Sequence, residues 1–221
     1  MYQVGIDIGS SAAKVAVIKD DEVAKTMLLD TGFSSRVSVP YADNVVTEIT
    51  CHGKGADYLF KENGTVIDIG GQDTKGISLK RGRVMKFIMN DKCSAGTGKF
   101  LEVMTGRLGL TLEELSDLAR EGNEISISSM CTVFAESEVI SLIGKGTPRA
   151  DIAFGVIESV INKVVALIAQ VPADKYFLTG GLCEDDYVRE RLELALNAPV
   201  KSTPLARYAG AIGAAILAAE E

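Results

Sequence analysis

The hydrophobic positions of the chain fall into short runs with strand character and longer stretches with helical spacing. Residues 4–8 form an apolar run that ends at Asp7 and a glycine turn; residues 14–18 return as a second strand, and 22–29 read as a third. The same arrangement comes back from Val66, with a further strand at 84–89. Helical spacing then takes over. A helix opens after Cys93 through Phe100-Leu101-Glu102-Val103-Met104, and Thr111-Leu112-Glu113-Glu114 is a capping box for a helix that ends near Gly122. A short strand at 125–127 leads into a helix over 133–142, which Gly144-Lys145-Gly146-Thr147-Pro148 breaks. Ile152, Val156, Val160, Val164 and Leu167 recur at three- and four-residue steps, predicting a long helix to about Ala169. Residues 175–179 form a strand, Gly180-Gly181-Leu182 a turn, 187–196 a helix, 199–202 a last short strand, and 208–219 a small-residue helix. Residues 30–47 read as loop, with a short β-like stretch at 37–39, and 48–61 as one helix weakened by Gly53 and Gly55. Strands interleaved with helices predict an α/β fold.

The two strand–turn–strand segments are copies. At an offset of 61, Ile6/Ile67, Asp7/Asp68, Ile8/Ile69, Gly9/Gly70, Lys14/Lys75, Lys19/Lys80 and Val23/Val84 are identical, seven of eighteen aligned positions. One such hairpin is a weak signal, but a duplicated pair is a strong one.

The residue types at the two turns suit phosphate. Glycines let backbone N–H groups approach phosphate oxygens without obstruction from a Cβ. The predicted phosphate-binding residues are Gly9, Ser10, Ser11, Ala12, Ala13 and Lys14 in the first hairpin and Gly70, Gly71, Gln72 and Asp73 in the second. Asp7 and Asp68, at strand ends, suit a hydrated Mg²⁺. Gln72 is the candidate for orienting water, because a neutral amide does not repel phosphate. Gly180 and Gly181, at a later strand end, allow the close approach of an adenosine. Two hairpins facing each other would clamp a nucleoside triphosphate between two lobes.

Cys93 and Cys131, 38 residues apart, each follow a predicted strand and precede a helix. A cysteine at a helix N-terminus favours its thiolate, although on spacing alone the pair reads equally well as two buried small residues. Cys51 and the single histidine, His52, are adjacent on a helix, so their side chains point about 100° apart. They read as core and helix-surface residues, and Cys183 as a buried one.

Composition narrows the class. The 221 residues are 47% hydrophobic with 22 glycines, which suits a soluble α/β protein, and the net charge of −7 argues against nucleic acid or an anionic membrane as partner. No apolar run approaches the ~18 residues of a membrane helix, and no signal-peptide pattern opens the chain. Four cysteines without a close pair do not form a disulfide framework, so a reducing cytoplasm is expected.

The order of an Asp-x-Gly hairpin, an Asp-x-Gly-Gly hairpin and a late Gly-Gly turn resembles the acetate kinase, sugar kinase, Hsp70 and actin fold. Within it, MNDKCSAGTGKFLEVM, ISSMCTVFAESEVISLIGKG and VIDIGGQDTKG are similar to the activators of 2-hydroxyacyl-CoA dehydratases, the BadF/BadG/BcrA/BcrD-type ATPase family that also holds the ATPase subunits of benzoyl-CoA reductases. The resemblance implies two ribonuclease-H-like lobes, residues 1–64 with 205–221 and residues 65–204. It also implies one [4Fe–4S] cluster on the twofold axis of a homodimer, held by Cys93 and Cys131 of each copy. Its implied activity is ATP-driven transfer of one electron to a partner iron–sulfur enzyme, with a ferredoxin or flavodoxin as donor. The chain departs in one respect: only about 35 residues separate Leu29 from Thr65, so the first lobe is trimmed.

Two other functions use the same clamp. A small-molecule kinase would pass the γ-phosphate to an alcohol or carboxylate, and a chaperone-like switch would only change lobe angle. The kinase needs a base and an acceptor pocket, and neither reading employs Cys93 and Cys131.

Overall fold

The computed structural model of the chain describes residues 1–31, 42–90, 93–127 and 131–220. The duplicated segments each begin a sheet. Strands β1 (Tyr2–Ile8), β2 (Ala12–Lys19) and β3 (Glu22–Asp30) make a three-stranded antiparallel sheet in that order. Strands β4 (Gly64–Ile69), β5 (Thr74–Lys80) and β6 (Arg83–Asn90) repeat the meander. Two later strands, β7 (Tyr176–Gly180) and β8 (Val200–Lys201), then add in parallel beside β4, giving the order β6-β5-β4-β7-β8.

The copies agree in detail. Asp7 pairs with Lys14 and Asp68 with Lys75, and the register slips between Val17 and Ile18 in one copy and between Ser78 and Leu79 in the other. Both second turns hold two consecutive residues at positive φ, Asp20 and Asp21 (51° and 65°) and Arg81 and Gly82 (52° and 71°). Such turns match the twist of the strands they join.

Helix α1 (Glu48–Phe60), capped by Thr47, connects the sheets. One face of it packs with Val66, Ile77, Leu79 and Phe177 of the second sheet, and the other meets α7 (Ala209–Leu217), which follows a short 3-10 turn at Pro204–Tyr208. This contact requires glycine: a Cβ on Gly55 would stand 1.8 Å from the Ala209 carbonyl oxygen, and one on Gly5 of β1 1.9 Å from that of Ala211. The small-residue helix is therefore pressed between β1 and α1.

Between β6 and β7 run α2 (Gly98–Leu108), α3 (Leu112–Ala119), α4 (Thr132–Gly144) and α5 (Arg149–Ile168), and α6 (Asp186–Leu196) follows β7. Four of the five residues predicted for the apolar face of α5, Ile152, Val156, Val160 and Val164, join Ile67, Ile69 and Leu178 in the main core, while Leu167 is only half-buried and Ile168 takes the buried place beside it. Thr111 and Glu114 close both bonds of the capping box.

Two expectations are corrected. Residues 125–127 form no strand; Ile125 and Ile127 are covered by α5, close against Gly155, so packing on a helix takes the place of a ladder partner. The helix expected just after Cys93 starts later, with Thr97 as its N-cap. The β-like stretch at 37–39, Asp91-Lys92 and Ser128-Ser129-Met130 lie outside the described residues.

Candidate functional site

The hairpin turns meet. Gly9 N–H bonds the Ala12 carbonyl at 3.0 Å and Gly70 N–H that of Asp73 at 2.9 Å, so both tips fold alike. A Cβ on Gly71 would lie 2.0 Å from Ser11 Oγ and 3.1 Å from Ser10 Oγ. Glycine at this position lets the tips approach.

Beneath them lies a cavity of about 580 Å³. Of the residues expected from sequence, Asp7, Gly9, Ser10, Ser11, Ala12, Lys14, Asp68, Gly70, Gly71, Gln72, Asp73 and Gly181 line it. Ala13 and Gly180 stand outside the lining. Gly180 has its own reason to be glycine, with φ of 83° and a would-be Cβ 2.4 Å from the Ile69 carbonyl oxygen. Leu101, Leu112 and Leu182 add apolar lining, fit for a base rather than for phosphate.

Sequence reasoning missed Lys75, Glu48 and His52. Lys75 is 1% exposed, and its Nζ lies 2.7 Å from Asp73 Oδ2, 2.9 Å from Glu48 Oε1 and 3.3 Å from Asp68 Oδ2. Burial alone would lower its pKa, but Asp68, with Asp73 and Glu48, holds it above the ordinary lysine value. Burial would likewise raise the Asp68 carboxyl, yet His52, Lys75 and Lys14 together keep it below the ordinary carboxylate range. His52 is not a helix-surface residue: it is buried, with Nε2 2.8 Å from Thr179 Oγ1. The available signal was the four-residue spacing of Glu48 and His52, which puts both on one face of α1.

The cavity's charge also bears on its ligand. Five carboxylates (Asp7, Glu48, Asp68, Asp73 and Glu102) face three fixed cations (Lys14, Lys75 and Arg207). A site with this acidic excess would favour a polyphosphate that arrives with a divalent cation, and carboxylate oxygens are donors of the kind that suits Mg²⁺.

The second hairpin extends into the cysteine segments. The first N–H groups of α2 donate to the hairpin itself, Gly98 to the Gly70 carbonyl at 2.9 Å and Lys99 to that of Gly71 at 2.8 Å. Thr74 Oγ1 donates to the Gly96 carbonyl at 2.6 Å. Cys93 therefore stands four residues ahead of the N-cap Thr97, at the far side of a turn, and the helix's first donors are already engaged. Cys131 is itself the N-cap of α4, as its position in the sequence suggests. The neighbours of the two cysteines touch, Ser94 Oγ lying 2.8 Å from Thr132 Oγ1.

Both Cys93 and Cys131 are half-buried, whereas Cys51 and Cys183 are buried and burial pushes both of their thiols up. Among the described residues no three His, Cys, Asp or Glu side chains gather as metal ligands. The Ser94–Thr132 contact brings the two cysteine segments together, and two half-buried thiols would be half of a four-thiolate set.

Known proteins resemble this chain in sequence and fold. Residues 18–218 match the model of the BadF/BadG/BcrA/BcrD ATPase family. The (R)-2-hydroxyglutaryl-CoA dehydratase activating ATPase of Acidaminococcus fermentans is 39% identical over 252 aligned positions, covering 99% of this chain and 97% of that protein. Those 252 positions exceed the 221 residues here by 31, so at least 31 of them are gaps in this chain. The structure of the activator of the 2-hydroxyisocaproyl-CoA dehydratase from Clostridium difficile with bound ADPNP superposes with a TM-score of 0.90 at 31% identity, covering 100% of this chain and 95% of that one. A ROK family glucokinase from Streptomyces griseus, 14% identical with a TM-score of 0.61 over 100% of both chains, shares the fold alone. This is the actin-like and sugar-kinase-like architecture, and the chain belongs to the BadF/BadG/BcrA/BcrD ATPase family.

Proposed function

We propose that this chain is an ATP-hydrolysing activator that passes single low-potential electrons to a partner iron–sulfur enzyme, such as a 2-hydroxyacyl-CoA dehydratase. The observation that carries this reading is the contact between Ser94 and Thr132, which joins the segments of the two half-buried cysteines beside the hairpin that lines the nucleotide cavity. Cys93 and Cys131 of two copies would hold one [4Fe–4S] cluster, which supplies one-electron chemistry when bound. A twofold axis completes the ligand count, since it presents the same cysteine pair from each copy.

Residues 1–64 with 205–221 form the first lobe in this reading, and 65–204 the second. The hydroxyls of Ser10 and Ser11 and the backbone of Gly70 to Asp73 bind phosphate, and Lys14 adds a charge. Asp7 and Asp68 hold Mg²⁺ through its water shell. Gln72, at the tip, orients the attacking water. Gly181 flanks the adenosine, and Gly180 sets the turn that places it. Because α2 is bonded to the Gly70 and Gly71 carbonyls, a shift of the hairpin on nucleotide binding displaces the turn that carries Cys93. ATP moves the cysteines only if it binds the shifted arrangement more tightly than the resting one. The accepting surface belongs to a partner enzyme, with a ferredoxin or flavodoxin as the electron source.

Anaerobic purification tests this directly. The unaltered chain should be brown, dimeric and carry about two irons per copy. Cys93→Ser or Cys131→Ser should remove the colour, while Cys51→Ala and Cys183→Ala should keep it. A colourless monomer, or iron retained in Cys93→Ser, would refute the cysteine assignment.

A further inference from the structure

Helix α1 presents two side chains to the nucleotide cavity that the reading above leaves without a task. His52 Nε2 lies 2.8 Å from Thr179 Oγ1, and Thr179 Oγ1 lies 3.2 Å from Asp68 Oδ1. The ionised carboxylate can only accept, and the hydroxyl has one proton to give. With that proton on Asp68, the chain runs one way: Nε2–H donates to Thr179, and Thr179 to Asp68. The other carboxylate oxygen, Oδ2, faces Lys75 Nζ, whose further partners are Glu48 and Asp73. Asp68 is thus gripped at both oxygens, and each grip reaches α1, one through His52 and one through Glu48.

Among the described residues the first hairpin has no counterpart to this. Asp7 meets Lys14 at 3.4 Å, whereas His52 and Glu48, whose helix packs against both α7 and the second sheet, reach Asp68 through Thr179, which also lies 3.5 Å from the Ile67 carbonyl, and through Lys75. A histidine whose sole task was to fasten α1 would need no chain ending on a carboxylate of the cavity.

We propose that His52 and Glu48 are positioning residues for ATP turnover, holding Asp68 in the orientation in which it receives the hydrated cation. The inference rests on the nucleotide-site reading above. Ligand-orienting partners of this kind typically contribute about 10–100-fold to metal affinity or activity.

The test uses the full chain with His52→Ala, Thr179→Val, their double variant, His52→Gln and Glu48→Gln. Calorimetry of ADP binding with and without Mg²⁺ is read beside phosphate release from ATP. His52→Ala and Thr179→Val should each raise the Mg²⁺ concentration needed for half-maximal tightening of ADP by about tenfold or more, with ADP affinity in Mg²⁺-free buffer unchanged. Turnover should fall by a similar factor. The double variant should be no worse than the poorer single one, because both break the same chain. His52→Gln, which carries an N–H donor near the Nε2 position, should restore most of the loss.

Equal weakening of ADP with and without Mg²⁺, unchanged Mg²⁺ dependence, or multiplying losses in the double variant would each overturn the proposal. If His52→Ala does not fold, Thr179→Val and the half-exposed Glu48→Gln decide the matter by the same readouts. An unaltered chain that binds no ADP would instead overturn the nucleotide-site reading and take this inference with it.

Discussion

Two hairpins with the same sequence pattern, strand register and bulge position sit in different surroundings. Ile67 is 0% exposed, whereas Ile6, the identical residue in the first copy, is 40% exposed. Strand β4 has β5 on one side and β7 on the other, and all six of its residues are buried. Among the described residues β1 pairs only with β2, and Tyr2, Val4 and Ile6 on one face remain exposed. The aspartates follow the same division. Asp7 has one lysine beside it, while Asp68 is enclosed by Lys75, Thr179 and His52. Local sequence copies a backbone; burial depends on what the rest of the chain lays against it.

The sharpest break of this comparison is a paired substitution at its lysines. Lys75→Met should destabilise the protein by about 3–5 kcal/mol, since it leaves Asp68 buried without its cation. Lys14→Met, at the less buried site, should cost about 1 kcal/mol or less. Denaturant titration measures both, and similar costs would mean that the two hairpins are energetically equivalent after all.

Next are the isoleucines. Ile67→Ala should cost about 2–5 kcal/mol, as for other buried large-to-small changes, and Ile6→Ala distinctly less, because much of its surface already meets water. A cost at Ile6 equal to that at Ile67 would imply that something covers the first sheet in solution.

At the tips, Gln72 aligns with Ser11. Gln72→Ala should lower ATP turnover by about 10–100-fold with little change in nucleotide affinity, and Ser11→Ala should act mainly on affinity. Steady-state kinetics separates them, and equal losses in kcat and affinity at Gln72 would reduce it to a binding residue.

The pH dependence is the gentlest probe. Asp68 titrates lower in the folded chain than the ~3.9 of an unfolded aspartate. Its contribution to stability is present above that value and is lost as pH falls toward its folded pKa. Lys75 titrates higher folded than the ~10.4 of a free lysine. Its contribution is present below that value and is lost as pH rises through its folded pKa. Stability should therefore be level from above the carboxylate range up to the ordinary thiol range, where the raised Cys51 and Cys183 thiols begin to lose their contribution before Lys75 does. Asp68→Asn should lower that plateau and flatten the acid side of the curve, which thermal unfolding across pH would detect.

Much of this molecule was determined by the sequence itself. The duplicated hairpins, the capping box at Thr111, the apolar face of α5 and the N-cap position of Cys131 all rest on neighbours within a few residues, and such patterns act through local dihedral preference and periodicity. The tertiary structure decided what depends on partners distant in sequence. It drew His52 to Thr179, 127 positions away, and brought Glu48 of α1 to Lys75, beside the two carboxylates of its own hairpin. It delayed α2 to Gly98, where the Gly70 and Gly71 carbonyls could receive its first N–H groups. It also turned residues 125–127 from strand pattern to irregular chain, because α5 covers their side chains. An apolar residue specifies in the sequence that it will be covered, but the element that covers it is chosen only when the chain closes.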